Sequence, residues 1–188
     1  MLPEFLNLGT IYLIAHVFGA ILGAGGAFMS DAMFFSSIRD GFFDQHEFRF
    51  MKLGGKMVWT GIFILVISGI LLVSTNPEYY LSSSKFLVKV SIVGIIIANG
   101  VIFHLVHLPH IKRHLNIKFS ESETFVKNAS FLMMSGAVSM VSWISTVILG
   151  MLKKVPYSYT EILSVYISLV LVAVTGSILI KKKLLDLK

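Results

Sequence analysis

The chain has 188 residues, 55% of them hydrophobic and 14% charged, with a mean hydropathy of +0.82, whereas roughly 25% of residues are charged in an average soluble domain. That composition excludes a soluble globule, and the absence of cysteine excludes disulfides, thiolate metal sites, iron–sulfur clusters and c-type haem attachment. The formal charge of +6 does not point to nucleic acid, because the Lys and Arg residues sit in short segments between apolar runs, where they orient a membrane protein.

No Asp, Glu, Lys or Arg occurs in 5–30, 57–77, 90–111, 128–152 or 162–180. A helix needs about 20 apolar residues to cross a bilayer, so each run is long enough. Backbone polar groups in hydrocarbon must be satisfied internally, which makes the spans helical. The expectation is an all-α polytopic bundle of five transmembrane helices in a single domain, 1–188, with spans at about 5–30, 57–77, 86–109, 128–152 and 161–180. Met1-Leu-Pro-Glu4 lacks a basic n-region, so the first run is read as a retained helix rather than a signal peptide.

Twelve of the sixteen basic residues fall in the tail after helix 5 and the loops on its side, and Lys85, Lys89, Lys153 and Lys154 on the other. The positive-inside rule then puts the N-terminus outside and the C-terminus in the cytoplasm, with the bacterial inner (plasma) membrane as the expected location. The bilayer is the first partner implied, and a redox partner or a second copy is compatible with the composition.

In chain order, helix 1 carries His16 near its middle and Gly19, Gly23 and Gly26 on one face. Small residues let helix backbones approach closely, and the same stripe could seat a flat ligand such as a porphyrin. Asp31 closes this first run and is read as a membrane-boundary residue. The segment 31–56 is mixed in charge, rich in aromatics and poor in glycine, so part of it is expected to prolong helices 1 and 2.

Helix 3 brings Lys89, Asn99, His104 and His107, followed by Pro109, His110 and His114. Imidazole ligates haem iron, copper and zinc, and two helices offering one histidine each could hold haem b. His16 and His104 are the expected axial pair; by count they differ in depth by roughly 8 Å at ~1.5 Å per residue, which tilt could absorb. Asn99 could instead orient the His16 ring, and Lys89 could snorkel or reach a haem propionate. The alternative is a copper or zinc site from His104, His107, His110 and His114, serving a divalent-metal transporter, although Pro109 disturbs the helix between them. Helix 4 places the hydroxyls of Ser135, Ser139, Ser142 and Thr146 on one face, either lining a polar path or bonding to their own carbonyls.

Three stretches carry a resemblance: Ile11-Tyr-Leu-Ile-Ala-His16, Phe48-Arg-Phe-Met-Lys52 leading into Lys56-Met-Val-Trp-Thr60, and Lys85-Phe-Leu-Val-Lys89. Over helices 1 to 3 the chain resembles the HemJ-type membrane protoporphyrinogen oxidases and the related CopD copper-resistance proteins. The resemblance implies a helical bundle with b-type haem, acting in electron transfer or porphyrinogen oxidation as a haem-dependent membrane oxidoreductase. It matches His16 and Lys89 to the family histidine and lysine. The next family histidine falls near Gly100, with His104 one turn later. A structural membrane subunit without a cofactor is the remaining alternative.

Overall fold

A computed structural model describes residues 7–153 and 155–186, with residues 120 and 181–186 described by their backbone alone. Residues 5 and 6 of the expected first span, together with Lys154 and Lys188, lie outside the described residues.

The first helix, α1, spans Leu8–Asp40, begun by Asn7, whose side chain accepts from the Thr10 amide, and ended at Gly41, whose φ of 84° is left-handed. Glycine enters that region without a Cβ penalty. After residues 41–44 comes α2, Gln45–Thr75, opened by a capping box in which Asp44 and Glu47 satisfy each other's amides. The charged segment after Asp31 is therefore mostly helix, as its lack of glycine suggests.

A short α3, Pro77–Leu81, leads to α4, Ser84–Ile102, which runs through a widened π turn, Phe103–His107, into α5, Leu108–Arg113. Pro109 explains the widening. It has no amide for the Leu105 carbonyl and its ring would crowd that group; the helix accommodates this with the Leu108 amide bonding back to the Phe103 carbonyl. The last two long helices are α6, Glu123–Met151, and α7, Tyr159–Asp186.

Among the described residues five segments are long and apolar enough to cross a membrane: Leu8–Asp40, Gln45–Thr75, Ser84–Arg113, Glu123–Met151 and Tyr159–Ile180. Large apolar side chains such as Phe18, Phe63, Ile70, Leu105 and Val172 are exposed around the bundle, as expected of an integral membrane protein whose solvent is lipid.

Glycine joins α1 to α2. A Cβ at Gly26 would lie 2.6 Å from the Gly54 carbonyl oxygen, and one at Gly19 would lie 2.8 Å from the Leu65 nitrogen, so the two backbones are in contact. A Cβ at Gly23 would enter the ring of Trp143 on α6. The stripe on α1 is thus filled by protein. Helix α1 rests on α2 and α6, while α4 rests mainly on α6 and α7. Helix α1 does not pack mainly on α4, because Trp143 and its helix stand in the Gly23 groove.

At the end of the bundle bearing the α1–α2 loop, called here the basic end, Phe43, Phe119 and Phe125 pack over Phe34, Met51, Ile111 and Met133. The Asn116 amide donates to the Phe43 carbonyl at 2.8 Å and the Phe119 amide to the Gly41 carbonyl at 2.8 Å. A second core of Ala24, Ala27, Ile62, Val88, Ile92, Ile96, Trp143, Leu149 and Tyr166 fills the other half.

Candidate functional site

Between α1, α2, α4 and α6 lies a cavity of about 60 Å³, lined by Ser30 and Asp31 from α1, Trp59 from α2, Asn99 from α4, His107 from the π turn, and Ser135, Ser139 and Trp143 from α6. That is room for several water molecules. Asn99 sits near the centre of the charge-free run 90–111, so the chamber lies inside the span of α4.

The chamber contains two polar atoms without partners. Oδ2 of Asp31 and Nε2 of His107 are both shielded from solvent and accept or donate no hydrogen bond. Buried polar groups almost always find a partner, and an uncompensated carboxylate out of water is costly. Asn99, Ser135 and Ser30 of the same lining have partners. Asn99 Nδ2 donates to the Ser135 carbonyl at 3.1 Å, and Ser135 Oγ donates to Asn99 Oδ1 at 2.7 Å. Ser30 Oγ donates to the Gly26 carbonyl at 3.0 Å and lies 3.3 Å from the Met51 carbonyl.

Asp31 therefore lies within α1 and not at its end. Helix α1 continues from it to Asp40, and its carboxylate faces Gly136 of α6, well inside the charge-free run 128–152. The end of the apolar run is thus not the end of the helix, and the helix-compatible sequence after Asp31 carries that signal.

The widened turn separates the helix 3 histidines. His107 is 2% exposed and packs edge-on against Phe131 with ring centroids 4.9 Å apart, whereas His104 is exposed. His110 stacks on Phe125 at 5.9 Å and lies 4.5 Å from the ring of His114. His114 Nδ1 donates to the His110 carbonyl at 2.8 Å. Among the described residues no group of three or more His, Cys, Asp or Glu is placed to hold a metal ion. The copper or zinc site expected from His104, His107, His110 and His114 is not assembled: the π turn leaves His104 exposed and His107 buried, and of the four only His110 and His114 have their rings in contact.

His16 is half-buried against Gly69, with its Nδ1 3.1 Å from Ser68 Oγ. Ser68, and not Asn99, orients the ring. Lys89 lies in the second turn of α4 with its ammonium beside Gly150, near enough to His16 for their charges to interact. His16 and His104 do not face one interior, and the glycine face beside His16 is occupied by α2 and Trp143.

On α6, Ser142 and Thr146 donate to carbonyls of their own helix at 2.6 and 2.8 Å, and Ser142 also pairs with the Tyr166 hydroxyl at 2.8 Å. Their part of the hydroxyl face is packing; Ser135 and Ser139 are the two that line the chamber. Compared with protein-family models, curated proteins and solved structures, the chain matches none.

Proposed function

We propose that this integral membrane protein is of the transport type, with the chamber as the place where a small cation is held between the two ends of the bundle. One observation carries the reading: an unpartnered carboxylate oxygen of Asp31 and an unpartnered ring nitrogen of His107 line the same buried cavity. Ionisable groups inside a membrane are expensive and mark ion pathways and proton relays when they face a wet interior. Trp59 and Trp143 supply aromatic faces, which attract cations. The excess of basic residues at the α1–α2 loop end assigns that end to the cytoplasm, with a bacterial inner membrane as the setting.

The test is flux in liposomes. Purified protein, reconstituted with an internal pH dye and with sodium- and potassium-sensitive dyes in parallel, should relax an imposed gradient of one of these ions, and Asp31→Asn should abolish the relaxation. Wild-type protein that relaxes none of the three gradients would sink the proposal. A Soret band in the purified protein, lost in His16→Ala, would instead support the b-type haem oxidoreductase that the HemJ resemblance implies.

A further inference from the structure

Four histidines lie on the span that ends at Arg113 and in the cap that follows it, and they are not equivalent. A histidine that serves packing normally has its ring nitrogens bonded, as His16 is to Ser68 on α2. His107 and His110 are different: each buries Nε2 away from solvent with no partner. They are one turn apart along the same helix, and His110 in turn lies 4.5 Å, ring to ring, from His114. His114 is half-buried beside exposed Lys112 and Arg113, at the surface of the basic end. One end of this column touches the chamber of Asp31, and the other meets water.

We propose that the cation is the proton, and that His107, His110 and His114 carry it between Asp31 and the basic end of the bundle. This rests on the transport reading and specifies both its solute and its route. The proton leaves the Asp31 carboxyl for a cavity water, and that water delivers a proton to Nε2 of His107. Imidazole takes a proton on one nitrogen and releases one from the other, so the same exchange repeats at His110, whereas at His114 the proton arrives at and leaves from a single nitrogen. Because a carbonyl only accepts, His114 Nδ1 is a donor to His110, which leaves its Nε2 to receive the arriving proton and pass it to water. Only O–H and N–H bonds form and break, no electrons move, and each group returns to its starting state after a ring reorients.

The surroundings suit this role. The rings are held by Phe103 and Phe131 around His107 and by Phe125 around His110. The charged groups facing the column are Arg113 and the histidines themselves. Among the described residues Asp31 Oδ2 has no hydrogen-bond partner. A metal or an ammonium-sized solute would instead need a path as wide as itself through the packed phenylalanines, whereas a proton needs only the column.

The experiment uses the full chain in liposomes with an imposed potassium diffusion potential and an internal pH dye. Wild type should conduct protons, and His110→Ala should slow the flux by about 10²-fold, the usual worth of a positioned proton-transfer group. Imidazole added to the medium at the basic end should restore much of that loss, which it would not do for Asp31→Asn or for a merely misfolded variant. His104→Ala, on the exposed side of the span, should conduct as wild type. A wild type that relaxes only a sodium or potassium gradient would overturn the proton assignment while leaving the transport reading standing, and normal proton flux in His110→Ala would overturn the route alone. Should His110→Ala fail to fold, nitrogen-15 NMR of the wild type in bilayers decides the matter: the ring protons of His107 and His110 should exchange with water, and slow exchange at both would overturn the relay.

Discussion

Gly136 leaves open the place that the Asp31 carboxylate occupies: a Cβ built on it would lie 3.3 Å from Asp31 Oδ1. The two residues belong to α1 and α6, so this single missing methyl sets how closely the acidic side chain approaches the second wall of the chamber. Gly136→Ala should be tolerated, since the carboxylate needs to give only by a few tenths of an ångström and alanine is better than glycine in a helix by about 1 kcal/mol. Gly136→Leu should displace Asp31 and depress proton flux. Thermal unfolding in detergent and flux in liposomes check both, and a leucine variant that melts and conducts as wild type would show that the approach does not matter.

The seam between α1 and α2 predicts a different failure. At Gly26 a side chain would meet the Gly54 carbonyl and the Met57 Cβ, whereas at Gly25 nothing lies within 4 Å. Gly26→Leu should therefore cost at least the 1–3 kcal/mol, roughly, of an overpacked core, with low yield of dispersed protein. Gly25→Leu should express and melt normally. Equal behaviour of the two variants in thermal unfolding would argue against backbone contact along this seam.

Asn99 and Ser135 exchange two hydrogen bonds across α4 and α6. Each single alanine variant leaves a polar group inside the bundle without its partner, and the double variant leaves neither side chain. A double-mutant cycle on Asn99→Ala and Ser135→Ala should give a coupling of about 1 kcal/mol. Additive effects in chemical unfolding would mean that the pair does not act as one unit.

Pro109 is held responsible for the π turn that aims His107 inward and His104 outward. Pro109→Ala restores the missing amide, so the turn can close to ordinary α geometry and rotate His107 relative to the chamber. The expected result is flux lowered with thermal stability unchanged or raised. Wild-type flux in this variant would show that the aim of His107 does not depend on the proline.

Much of this architecture is written in where charges are missing. The five charge-free runs correspond to the five spans, and the poverty of glycine in 31–56 correctly foretold that α1 and α2 extend beyond them. Lateral arrangement is another matter. Lipid gives helices no hydrophobic reason to choose neighbours, so the partner of α1 was set by shape: Trp143 fits the Gly23 groove, and no periodicity announces that. The same shape fills the glycine face that could have seated a porphyrin. Depth reckoning along single helices also assumed regular turns, an assumption the π turn at Phe103–His107 breaks, and with it the angular relation of His104 to His107. Asp31 was visible from the start as the first acidic residue after the long opening run, but its burial depends on α6, which is far away in sequence.

The two backbone bonds from Asn116 to Phe43 and from Phe119 to Gly41 tie the turn after α1 to the turn before α6, with Phe119 and Phe125 stacked at 4.1 Å against them. The joint is a clasp made of main chain and aromatic rings. Any bulky passenger would have to spring this clasp, and amide hydrogens at 116 and 119 would exchange with deuterium at each opening. If they stay protected through many cycles of turnover, the lower half of the molecule works as a fixed wall, and traffic is confined to whatever the wall itself can hand across.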